Sequence, residues 1–98
     1  MKETIHNAKI ESAFLGYEDH GIFTYFLQVH DGKSSQGFGG YALVEGSTRA
    51  HLVGIMRAVG VGQWSHLRGE NIRIVREDGT IRKIGHIVED KWFDPRTP

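Results

Sequence analysis

Ser35-Gln36-Gly37-Phe38-Gly39-Gly40-Tyr41 lies between two apolar runs and holds three of the chain's thirteen glycines. Glycine weakens a strand interior unless the backbone must bend or let something approach closely. Two readings follow. In one, this is a bulged core strand in which Phe38 and Tyr41 pack. In the other, Gln36, the bare backbone at Gly39 and Gly40, and the two rings receive a small, planar, polar guest.

Working outward, the stretch belongs to a strand over 36–44, preceded by the loop His30-Asp31-Gly32-Lys33-Ser34-Ser35, whose Asp-Gly pair marks a hairpin. Before that loop, Phe23, Tyr25, Leu27 and Val29 give one apolar face to a strand over 22–29. Residues 5–15 alternate, with Ala8, Ile10 and Phe14 against Asn7, Lys9 and Glu11, as a first strand with one wet face. The glycine-bounded run 16–21 reverses the chain between them.

After the glycine stretch the period changes. Ser47 or Thr48 offers an N-cap, Leu52, Ile55, Met56 and Val59 recur at helical spacing, and Gly60 suits a left-handed end. The spacing predicts a helix over 48–59, with Arg49 at the edge of its apolar stripe and Arg57 well away from it. Trp64 and Leu67 belong to a compact linker. Strands over 70–76 and 81–88 flank the tight turn Glu77-Asp78-Gly79-Thr80, and a change of apolar phase between Ile81 and Ile84 predicts a bulge near 83–85. The aromatic tail Trp92-Phe93 precedes Pro95 and is expected to dock on the body or on a second subunit. The order is β-β-β-α-β-β. It describes a single small α+β domain over 1–98, with a three-stranded antiparallel meander, one helix and a C-terminal hairpin, or a partly open barrel.

Composition narrows the functional classes. Ninety-eight residues bury roughly 60–65% of their unfolded surface in one core. No run is long and apolar enough to span a membrane, and no apolar leader opens the chain. Zero cysteines remove disulfides, thiolate catalysis and cysteine-based metal sites, so a cytoplasmic protein is the economical reading. Twelve basic residues balance twelve acidic ones, which argues against sequence-specific nucleic-acid binding. Seven of the twelve basic residues nevertheless fall between positions 49 and 83, a local excess that fits a small anionic ligand better than a duplex.

Glu18-Asp19-His20 supplies two carboxylates and an imidazole, groups fit for acid–base work. Successive extended residues diverge, however, and a turn capped by Asp19 with His20 bonded locally is the simpler reading. The six histidines form no His-x-x-x-His or His-x-His pair, and no metal or cofactor is expected. No phosphate-loop or dinucleotide fingerprint surrounds the glycines. What remains is Gln36, Phe38 and Tyr41, a helix beginning with Arg49, and arginines such as Arg73 downstream. Arginine forks and helix N-termini suit phosphate, and aromatic faces suit bases. In so small a chain such a site needs a second subunit to close it, and edge strands with the Trp92-Phe93 tail make a homo-oligomer plausible.

In Leu15-Gly16-Tyr17-Glu18-Asp19-His20-Gly21-Ile22-Phe23-Thr24 and Gln36-Gly37-Phe38-Gly39-Gly40-Tyr41-Ala42-Leu43 the chain resembles a family of small phage- and prophage-encoded proteins. The resemblance extends through Val59-Gly60-Val61, Trp64, Leu67, Gly69 and Ile72-Arg73 to Ile84-Gly85-His86-Ile87 and Asp90-Lys91-Trp92-Phe93-Asp94. It covers nearly the whole chain, although the loop after Leu43 is shorter here than in that family. The resemblance implies counter-defence in an infected bacterial host, by stoichiometric sequestration of a cyclic dinucleotide or ADP-ribose-derived immune signal. It then implies that Phe38 and Tyr41 stack on the ligand, Gln36 reads a base or ribose edge, and Arg49 or Arg73 takes phosphate, with Asp19 and His20 at the border. The alternatives are an anti-CRISPR-type inhibitor bound to a defence effector protein and a small nucleotide-processing enzyme. The neutral charge favours a sponge over an acidic nucleic-acid mimic.

Overall fold

The first strand is longer than its alternation predicts, because a bulge interrupts the period. The computed structural model describes residues 3–98. β1 (Glu3–Tyr17) runs fifteen residues and skips Glu11 between Ile10 and Ser12. The bulge carries the inward phase from Ala8 and Ile10 to Ala13 and Leu15. β2 (Phe23–His30) pairs with its C-terminal half, from Tyr17↔Phe23 to Lys9↔His30. β3 (Ser35–Gly39) pairs with β2 but stops at Gly39, not at Val44. The physical reason is at Gly39 and Gly40, both at positive φ, which turn the chain out of the ladder. The following segment stays tethered to β2 through Gly40 N–H to the Tyr25 carbonyl at 2.7 Å and Leu43 N–H to the Phe23 carbonyl at 2.9 Å.

α1 (Thr48–Val59) has the expected bounds, and Gly60 closes it in a left-handed conformation with its N–H on the Met56 carbonyl. The N-terminus departs from expectation. The hydroxyls of Ser47 and Thr48 both donate backwards to the Val44 carbonyl, so neither caps the helix. After a 3-10 turn at Trp64–His66, β4 (Asn71–Glu77) and β5 (Thr80–His86) form a hairpin. Asp78 and Gly79 both have positive φ, as a two-residue primed turn requires. The β5 bulge falls at Arg82, between Ile81 and Lys83, one residue before the predicted span, and it accounts for the phase change. β6 (Trp92–Phe93) completes the sheet.

The six strands are antiparallel, in the order β3-β2-β1-β4-β5-β6. That differs from the predicted meander, because α1 returns the chain to the far side of β1, which becomes an interior strand. The sheet is open, with β3 and β6 at its edges, so it does not close into a barrel. α1 packs on one face against β5 and β6. The core between them holds Ile10, Tyr25, Leu27, Ile55, Ile72, Ile74, Ile84 and Phe93. Each such side chain contributes roughly 1.5–3 kcal/mol relative to exposure. Among the described residues no helix is long and apolar enough to cross a membrane.

β1 has two neighbours over only part of its length. β4 covers residues 3–9, and a pair of backbone bonds between Ile10 and residues 69–70 ends the ladder. Beyond that point β1 is paired on the β2 side alone.

Candidate functional site

The glycine stretch is closed by the protein's own rings. A Cβ at Gly37 would sit inside the Phe26 ring, and one at Gly39 would stand 2.6 Å from the Tyr25 carbonyl oxygen. Phe38 is only 3% exposed and packs against Tyr25 and Phe93, so it offers no face to a ligand. Gln36 is also committed. Its Oε1 accepts from Arg76 Nε at 2.8 Å, and its Nε2 donates to the Gly79 carbonyl at 3.0 Å. Arg76 Nη1 then donates to Asp31 Oδ2 at 2.8 Å. Asp31 also accepts from the N–H groups of Ser34 and Lys33, and these bonds with Arg76 hold its carboxyl well below the usual carboxylate range. This network clamps the β2–β3 loop onto the β4–β5 turn. The packing reading of the stretch therefore holds for Phe38 but not for Tyr41, which is 43% exposed, and the guest reading of Gln36 and Phe38 is corrected.

The remaining predicted residues are dispersed. Asp19 and His20 lie in the exposed turn between β1 and β2, at the other end of β2 from Gln36. Glu18, not Asp19, caps that turn. Its carboxylate accepts from the His20 ring Nδ1, at 3.1 Å, and from the N–H groups of His20 and Ile22, and is held below its ordinary pKa mainly by the His20 ring. Arg49 is exposed in the first turn of α1. Tyr41 is 43% exposed and borders a shallow depression of about 180 Å³ beside Arg82 and Arg96. Both guanidinium groups there are already engaged, Arg82 by Glu3, Glu77 and Asp94, and Arg96 by Asp94. Arg82 Nε is buried without a hydrogen-bond partner, 3.6 Å from Asp94.

Sequence reading missed His51. It is buried on the α1 face at i−4 from Ile55, the spacing that would have revealed it. Its Nδ1 meets the buried Tyr25 hydroxyl at 3.1 Å, with the Tyr41 and Phe93 rings around it. Burial pushes the His51 pKa down and, with the nearby Tyr41 phenol, pushes Tyr25 up.

The structure does bring Arg73 together with Trp92. The Arg73 guanidinium lies 4.8 Å from the indole centroid and donates to the His86 and Glu89 carbonyls, each at 2.8 Å. Lys83, not singled out in the sequence, stands 5.1 Å from the same ring. Trp92 can lie there because Gly85 leaves the sheet bare, and a Cβ at Gly85 would meet the indole carbons within 2.4–2.7 Å. Its neighbour Phe93 points the other way, into the space left by Gly54 on α1, and is 3% exposed. Phe93 is therefore part of the protomer's own core, and the expected use of its side chain at a subunit interface is corrected.

Between α1 and β6 runs a groove of about 550 Å³, walled by Gly54, Arg57 and Ala58 on one side and Lys91, Trp92 and Phe93 on the other. Among the described residues no carboxylate lies within ion-pair distance of Arg57, Arg73 or Lys83, while Lys91 is shared with Glu89 at 3.2 Å. Asp94, which lines the groove with Thr97 and Pro98, is held by Arg82 and Arg96. The seam thus offers an apolar wall beside the Arg57 cation, while the indole with Arg73 and Lys83 lies on the opposite face of the sheet from Phe93. No family model, curated protein or solved structure matches the chain.

Proposed function

We propose that the protein binds a nucleotide-type anion stoichiometrically in the α1–β6 groove and releases it unchanged. The observation that carries this reading is the groove itself, where the Phe93 ring lies beside Arg57, a cation with no carboxylate within ion-pair distance among the described residues. A cation without an internal partner retains its full attraction for phosphate. The groove's volume falls in the range of small-molecule sites. Its lining supplies cations, rings and backbone, which bind and orient a ligand. The resemblance to small phage proteins supplies the ligand class and purpose: a cyclic dinucleotide or ADP-ribose-derived immune signal, withdrawn from the host's defence.

The test is a thermal-shift panel of cyclic dinucleotides and cyclic ADP-ribose, followed by mass spectrometry of what leaves the boiled protein. A shift with at least one ligand, recovered intact, supports sequestration. Ligand returned as cleavage products moves the protein to the enzyme class. A blank panel, with co-purification of a defence effector, moves it to the inhibitor class.

A further inference from the structure

We infer that the open edge of β1, residues 12–17, pairs antiparallel with the same edge of a second copy, joining two sheets across a two-fold axis. β4 abandons β1 at Lys9, whereas β1 continues to Tyr17. Among the described residues, the side away from β2 over the remaining stretch receives one hydrogen bond, from the Trp64 indole N–H to the Ala13 carbonyl at 3.3 Å. Six residues of edge span about 20 Å, enough for a short ladder. The main-chain N–H and C=O groups of Leu15 and Tyr17 face that side, since alternate residues point their backbone groups the same way and Ala13 does so.

Nothing in the sequence blunts this edge. Ser-Ala-Phe-Leu-Gly-Tyr has no charge and no proline, and the bulge precedes it. Its side chains are apolar on both faces and open to solvent: Phe14 is 44% exposed, Leu15 36% and Tyr17 73%. Among the described residues Tyr17 has one ring neighbour, Phe23, tilted at 58° with centroids 5.1 Å apart. An exposed, unprotected apolar strand edge in a stable protein has a strand to pair with.

Charge selects a second copy as the occupant. The acidic turn with Glu18 and Asp19 lies at one end of the open edge. At the other end, Arg68 lines a depression with Ser12, Ala13 and Trp64, with no carboxylate within ion-pair distance among the described residues of its own protomer. Glu11, which borders the same depression, is bonded to the Ser35 hydroxyl. Antiparallel pairing swaps the ends, so each copy's acidic turn comes beside the other's Arg68. A two-fold interface makes that contact twice.

Sedimentation and light scattering of the full chain in the micromolar range test this. The expected mass is twice the 11.0 kDa of one chain. Tyr17→Lys places a charge on the edge at an exposed position and should return the mass to one chain with an unchanged circular dichroism spectrum. Val88→Lys, at an exposed apolar residue elsewhere, should leave the dimer intact. Because the chain has no cysteine, Leu15→Cys, beside the two-fold axis at the middle of the paired stretch, should give an intermolecular disulfide on oxidation and Val88→Cys should not. A monomeric wild type, or a dimer that survives Tyr17→Lys, overturns the inference.

Discussion

Two regions of this molecule use the same device, a glycine beneath an aromatic ring, and end with opposite characters. On β3, Gly37 and Gly39 lie against Phe26 and Tyr25, and the nearby polar groups are consumed internally by the Gln36–Arg76–Asp31 clamp. Around β6, Gly54 receives Phe93 on the α1 side and Gly85 receives Trp92 on the other, but Arg73 beside the indole finds carbonyls and the ring instead of a carboxylate. A glycine next to aromatics therefore marks close packing of ring on backbone. What separates a clamp from a site is whether the charges around it are already paired.

The sharpest way to break the β3 side is Gly39→Ala. It forces a Cβ against a backbone oxygen at a φ of +120°, and should cost on the order of 3 kcal/mol in denaturant unfolding. A cost within experimental error would mean that the chain does not turn out of the sheet there. Gly54→Ala meets the Phe93 ring, which can move, so a smaller loss of about 1–3 kcal/mol is expected. Gln36→Ala removes two hydrogen bonds but leaves Arg76 on Asp31, and about 1–2 kcal/mol should be lost with no change in ligand affinity.

Acid provides a subtler probe. The folded-state pKa of His51 lies below its unfolded value, so the unfolded chain binds more protons between the two. Stability from keeping His51 neutral is complete above an unfolded pKa of about 6.5 and is lost as the pH falls below it. Melting temperatures of wild type and His51→Gln measured downward from neutrality should converge; parallel slopes would exclude His51 as the group responsible. Asp31 acts in the same direction at lower pH, because its depressed pKa makes its contribution present above the ordinary carboxylate value and lost below it.

What the sequence disclosed and what it hid divide along sequence separation. The helix bounds, the Asp78-Gly79 turn and the inward face of β2 follow from spacings within a few residues, and all appear as read. The early end of β3 was carried by Gly39-Gly40, but glycine pairs permit a turn without requiring one. Hidden entirely were the partners. Gln36 meets Arg76 forty positions away, and Trp92 finds Gly85 through a strand pairing too short for any period to announce. Arg73, grouped in the sequence reading with Phe38 and Tyr41, lies instead over Trp92.

The most direct measurement is calorimetric titration of wild type, Arg57→Glu and Gln36→Ala with the nucleotide that gives the largest thermal shift. If the α1–β6 groove is the site, wild type and Gln36→Ala bind with the same affinity and Arg57→Glu binds at least about tenfold more weakly, a difference of about 1.4 kcal/mol. Unchanged binding by Arg57→Glu, or loss of binding in Gln36→Ala at a temperature where that variant is folded, would contradict it and return the site to the glycine stretch.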